Sequence, residues 1–347
     1  MARRLVGNSV CVHKDNIYFT VYGLNIICRV SLNTHEMEYI FGPEGEAFTG
    51  YMPWGDICIW HNSLVLVPYT SKDVWLYDLD KREWKGILSS EDLQLQKTNR
   101  FAGVQILGDI LFLIGHTYPN IFCLNLKTSV NEGEDTVNSG TSPCEICFFA
   151  QSMVKKGNTI YVANELTNNI IKYDMRTYNY EWISIGNTGR RNRGITYDGE
   201  SFWIIPSSSD DTLIQWNENN GKILEHTFTH KMTNIWGGAI GKGRLYLYGP
   251  IEEALIFDLK NNCFYQSDRN IRFARNIDNT LLMWDKDGKF IIDTNEGRLE
   301  MDTIIEDSKI MEYQKTHSES IRKSLSKEII NETNYYGLSD WLQVFNL

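Results

Sequence analysis

Trp54-Gly55-Asp56-Ile57-Cys58-Ile59-Trp60, the turn His61-Asn62, and Ser63-Leu64-Val65-Leu66-Val67 form the stretch whose reading decides the fold. An apolar run, a polar turn and a second apolar run are the signature of a β-hairpin. Residues 73–79 then give a third strand, Asp80-Lys81-Arg82 a turn, and Glu83-Trp84 the start of a fourth. The unit is one small antiparallel sheet.

The unit recurs. Small residues at Gly7, Gly55, Ala102, Ala150, Gly194, Gly237 and Ala274 return every 37 to 48 positions, a period that marks repeat architectures. Trp54, Phe101, Phe149, Arg193, Trp236 and Phe273 stand directly before the later six. The phrase Trp75-Leu76-Tyr77-Asp78-Leu79 is echoed by residues 122–126, 171–175 and 255–259, each with an Asp or Asn placed to hold the following turn. This pattern predicts an all-β chain, a seven-bladed β-propeller with the small residue on each innermost strand, where blades converge on the axis. The propeller is expected over residues 1–306. Residues 307–347 lose the strand period and gain helical spacing at Ile321, Leu325, Ile329 and Ile330, so they are expected to form a short helical C-terminal extension packed on the rim or across the seam between the first and last blades. Residues 89–98 are expected to hold a helical turn, and the acidic stretch 127–145, with no clear period, reads as a loop.

Composition limits the function classes. Lys plus Arg number 34 against 44 Asp plus Glu, a formal charge of −10, which opposes a general role on nucleic acid. No run of about 18 apolar residues suggests a membrane span, and nothing resembles a signal peptide, so a soluble cytoplasmic protein is expected. The 7 cysteines are odd in number and sit mostly in apolar runs, as buried thiols do in a reducing compartment. Cys144 and Cys147 form a lone C-x-x-C without the further ligands that structural zinc needs. No metal and no cofactor are expected.

The blade pattern resembles the kelch and galactose-oxidase type of propeller, on Trp236-Gly237-Gly238, on Tyr77-Asp78 followed by Trp84, and on Tyr173-Asp174 followed by Trp182. The resemblance spans about residues 5 to 305 and implies an interaction scaffold. In such propellers the entries to the inner strands and the loops between second and third strands share one face, which opens onto the central channel. Mapped onto this chain, that mouth collects Trp54, Arg100, Phe101, Arg193, Trp236 and Arg272 as candidate ligand-binding residues. Arginine forks suit carboxylate or phosphate, and aromatic faces suit sugar rings or the apolar anchors of a peptide. The expected function is therefore non-catalytic binding of a protein partner or of an anionic or sugar ligand. An equally simple account has the aromatics packing between blades and the arginines pairing with carboxylates of adjacent blades.

Catalysis is the competing class, a propeller lyase or hydrolase working in the same mouth. The chain has no H-E-x-x-H, Walker or G-x-S-x-G motif, and its histidines are scattered. His116, in the loop Gly115-His116-Thr117-Tyr118, is the candidate base, with Arg193 or Arg272 across the channel as an electrophilic partner.

Overall fold

The computed structural model describes residues 2–46, 52–89, 101–116, 120–128, 130–136, 149–207, 212–228, 235–249, 254–267 and 269–316. Seven four-stranded antiparallel sheets occupy residues 7–41, 54–89, 101–136, 149–184, 192–227, 237–267 and 271–302, each with its strands hydrogen-bonded in chain order. The chain is a seven-bladed β-propeller. The turns joining first to second and third to fourth strands lie on one face. The connections between blades and between second and third strands lie on the other, which is the mouth.

The apolar core is a succession of seams between neighbouring blades. Blades one and two share Tyr18, Ile27, Trp54, Ile57, Leu64 and Tyr77, and similar clusters join two to three, three to four, four to five and five to six. A larger cluster runs through blades six, seven and one, where Trp284 stacks on Phe290 with centroids 4.2 Å apart and Phe19 lies 4.8 Å from Trp284. The small residues follow from this closeness: a Cβ at Gly7 would stand 2.7 Å from Trp284 Cε2, and one at Gly55 would meet the carbonyl oxygen of Phe101 in the next blade.

The inner strands share a feature that periodicity does not reveal. In blades one, two, three, five and seven the register against the second strand slips by one residue near the start, at Asn8, Gly55, Ala102, Arg193 and Arg272. Blade four slips between Phe149 and Met153. A bulge bends its strand and redirects the extra side chain. Where that residue is arginine, in blades five and seven, it lies at the rim of the mouth.

Below the bulges, one carboxylate ties four blades together at the axis. Asp56 is 2% exposed. It accepts hydrogen bonds from Ser9 Oγ, from the Ile57 and Val104 amides at 2.9 and 3.1 Å, and from Arg275 at 2.8 Å. Arg275 also donates to the Val10 carbonyl at 3.2 Å. The charge is thus paired and its lone pairs are used, the condition under which a buried ion is tolerated.

Closure uses a separate clasp. Ala2–Arg4 pairs with Ile304–Glu306 beyond the last blade, and the Leu5 amide donates to the Thr303 carbonyl at 2.7 Å. The helix Asp307–Thr316 follows. Arg3 pairs with Asp307 at 2.8 Å, and Tyr313 stacks on Phe41 at 4.2 Å while its hydroxyl donates to the Gly42 carbonyl at 3.1 Å. This helix therefore lies across the seam between blades seven and one. The helix expected further on, with residues 317–347, lies outside the described residues, as do residues 90–98 of the expected helical turn.

One expectation is corrected. Of the stretch 127–145 read as a loop, Val130–Thr136 is the outer strand of blade three, paired with Asn120–Asn125 around a register shift at Cys123/Leu124. An outer strand borders solvent and can be held by backbone hydrogen bonds alone, so an acidic, glycine-bearing sequence fits it without apolar alternation.

Replacing Asp56 by Ala leaves Arg275 unpaired at the axis and is expected to cost about 3–5 kcal/mol, read as a lower urea midpoint. The double variant Asp56→Leu, Arg275→Met removes both charges and should lose less than the single one. Equal losses would show that the pair is not the source of the effect.

Candidate functional site

The mouth is built by inner-strand entries and by the turns between second and third strands. Trp236 enters blade six, Arg272 is the bulged residue of blade seven, and Tyr22 sits in the turn after Val21 of blade one. The Tyr22 and Trp236 rings lie 5.8 Å apart, both half-buried. Arg272 lies near Tyr22, and burial holds its guanidinium below the usual arginine range. Among the described residues it forms no ion pair. A half-buried cation near the Tyr22 ring, which in turn lies against Trp236, is a ready seat for an anion on a flat or apolar body.

Across the channel, Arg193 and Glu165 form an ion pair between blades five and four. Glu165 lies just after Asn164 at the end of the strand Thr159–Asn164, and its side chain is 11% exposed. Burial pushes its carboxyl up to about 7, with Arg193 pulling in the opposite direction. Beside the pair, the enclosed Arg190 donates to Asn192 Oδ1 at 2.9 Å and to the Ile204 carbonyl at 3.4 Å. The Asn192 Nδ2 atom is buried without a partner.

The other candidates lie deeper. Trp54 and Phe101 have no exposed surface. The Trp54 indole donates to Asn25 Oδ1 at 3.0 Å, and Phe101 meets Phe122 edge-on at 5.6 Å. His116 is buried with its ring 5.4 Å from that of Tyr69. Arg100 lies outside the described residues. The structure thus groups Trp236 and Arg272 on one side and Arg193 with Glu165 on the other, while Trp54 and Phe101 are enclosed in the seams of blades one to three. Glu165 is the residue that sequence reading passed over, although it adjoins Asn164 in a loop already assigned to the mouth.

With this geometry in hand, the chain can be set beside known proteins. No protein-family model and no curated protein matches it. Solved structures do. A catalytically inactive virginiamycin B lyase from Staphylococcus aureus, crystallised with quinupristin, superposes with a TM-score of 0.61 at 12% identity over 82% of this chain and 92% of that one. BamB from Moraxella catarrhalis gives 0.55 at 11% identity over 87% and 90%, and a chain of the mitotic checkpoint complex 0.58 at 8% identity over 88% and 91%. These likenesses define the class as a seven-bladed β-propeller. They include propeller families other than the kelch-like type suggested by the repeat, the virginiamycin B lyase and BamB. Among the described residues no helix is long and apolar enough to cross a membrane.

The raised carboxyl of Glu165 sets a pH dependence. Between its ordinary value of 4.5 and about 7 the folded chain holds a proton that the unfolded chain releases. Stability therefore falls as pH rises through that window, by at most about 3 kcal/mol. Urea midpoints measured from pH 5 to 8 should show this fall in the parent and a flatter profile in Glu165→Gln. Identical slopes would reject the assignment.

Proposed function

We propose that this chain is a non-catalytic, kelch-like binding propeller that engages an acidic protein segment, or a small anionic or sugar-bearing ligand, at its mouth. The observation that carries the reading is Arg272, a half-buried guanidinium with no ion-pair partner among the described residues, set near Tyr22, whose ring lies 5.8 Å from that of Trp236. Arg193, freed from Glu165 when that carboxyl is protonated, is a second cation facing the same channel, and Arg100 is assigned to the mouth by its position in sequence. Trp54 and Phe101, at the entries of blades two and three, are enclosed between blades and support the mouth by packing. An acidic chain that keeps arginines at one opening selects anions there against its own overall field.

The mitotic checkpoint complex shows that a chain of similar fold takes part in a protein assembly, which favours a protein partner. The reading includes a cytoplasmic setting, supported by Cys11, Cys28, Cys58, Cys123 and Cys263, all free thiols. In this reading residues 307–347 form an extension of the propeller rather than a separate domain.

A second reading, an enzyme acting on a small anionic substrate, is favoured by one observation. Glu165, with a carboxyl titrating near neutrality beside Arg193, has the character of a general acid or base. The neighbouring lyase shows that a propeller of this class can carry catalysis.

A thermal-shift screen against acidic peptides, anionic sugars and nucleotide-sugars separates these cases. A ligand specific for the folded chain at a hundred times its Kd adds about 2.7 kcal/mol. Stabilisation is expected in the parent and is expected to be lost in an equally folded Arg193→Ala, Arg272→Ala variant. Ligands that stabilise both proteins alike would overturn the mouth as the site, and turnover of a stabilising ligand would move the assignment to the second reading.

A further inference from the structure

On the face opposite the mouth, blades one and four carry corresponding rows across their strands, a tyrosine, a cation and a glutamate. Tyr18 stands opposite Arg29 and Arg29 opposite Glu38 in blade one. Tyr161 stands opposite Lys172 and Lys172 opposite Glu181 in blade four. Each row faces the next blade's turn between third and fourth strands.

Between blades four and five a carboxylate closes the gap. Glu218 of blade five accepts the Tyr161 hydroxyl at 2.7 Å, Lys172 Nζ at 2.8 Å and Lys156 Nζ at 3.1 Å. The turn bearing Glu218 has a counterpart in blade two. Asn217 Oδ1 accepts the amides of Asn219 and Asn220, as Asp78 Oδ1 accepts those of Asp80 and Lys81. Superposing the two turns residue by residue puts Leu79 where blade five has Glu218.

The gap between blades one and two accordingly lacks its carboxylate. In its place is a pocket of about 250 Å³ lined by Tyr18, Arg29, Glu38, Tyr77, Leu79, Arg82 and Trp84 among others. Two arginines face one carboxylate, and that carboxylate, Glu38, is already engaged by Arg29 at 2.8 Å. Among the described residues the Tyr18 and Tyr77 hydroxyls make no hydrogen bond and Arg82 makes no ion pair. Burial raises the pKa of both phenols, so they stay donors at neutral pH. Tyr77 packs on Trp84 with centroids 4.7 Å apart, giving the pocket an aromatic wall.

We propose that this pocket binds a carboxylate carried on an apolar or aromatic body, seated where Glu218 sits between blades four and five. The Tyr18 and Tyr77 hydroxyls and the Arg82 guanidinium donate to the carboxylate, while Leu79 and Trp84 contact the body. The fold thus contains, at the seam between blades four and five, its own picture of the filled site.

The test is ligand-observed NMR on the full chain with phenylacetate, and with phenylacetamide as the uncharged counterpart. Phenylacetate is expected to bind and the amide not. Binding should weaken at least tenfold in Arg82→Ala and in Tyr18→Phe, and persist in Arg272→Ala, which touches only the mouth. Leu79→Glu supplies the missing carboxylate from the chain itself. It should fold with a melting temperature at or above the parent's and lose phenylacetate binding. The blocked dipeptide N-acetyl-Phe-Glu-amide distinguishes the source: tighter binding than phenylacetate assigns the carboxylate to a polypeptide side chain, weaker binding to a free organic acid. No phenylacetate or dipeptide binding, equal binding of the amide, or binding undiminished in Leu79→Glu would overturn the proposal.

Discussion

A charge buried at the axis is the constraint on which the rest of this structure depends. Inner strands that converge leave their backbones close together and their side chains little room, so a group that ties several blades must be small and must accept several bonds. The Asp56 carboxylate does this for blades one, two, three and seven. Its satisfaction requires Ser9 and Arg275 at fixed heights on neighbouring strands, and the slips at Asn8, Gly55 and Arg272 belong to those same three strands. Because the extra residue of blade seven is an arginine, the arrangement that completes the axis also brings a cation to the rim above it.

The repeat and its seven units were legible in the sequence because packing between blades imposes a pattern on residue size and polarity. Glycine or alanine at each convergence and an Asp or Asn at the end of third strands leave a direct textual trace. What the pattern did not reveal has equally physical grounds. Val130–Thr136 is held by its backbone, which leaves no mark on residue choice. The bulges change register without changing composition. The clasp of Ala2–Arg4 with Ile304–Glu306 joins segments that are short and far apart in sequence.

The candidate site was legible in outline only. Arg193, Arg272 and Trp236 were assigned to the mouth from their place in the repeat, and the structure sets Arg272 and Trp236 beside Tyr22. Trp54 and Phe101 share that place in the repeat yet are fully enclosed, since a bulky residue before the small one serves packing as readily as contact. Sequence spacing reports which end of a strand a residue occupies, not whether a neighbouring blade covers it. Glu165 shows the converse, because its altered acidity comes from burial in a loop that carries no periodic signal.

Every blade in this ring is made from one uninterrupted stretch of chain, and no blade borrows a strand from the opposite end. That arrangement has a consequence in time as well as in space. Each sheet can form from local pairings as soon as its own residues have been synthesised, and can then dock on the sheet before it, so most of the topology is assembled at low contact order. The exception is the meeting of blade one with blade seven, which bridges nearly the whole propeller and carries the largest loop-closure entropy in the molecule. The strand pair, the Arg3–Asp307 bridge and the stacked Tyr313 lie at that junction, so the clasp acts as a late-closing latch on a molecule that is otherwise assembled in sequence.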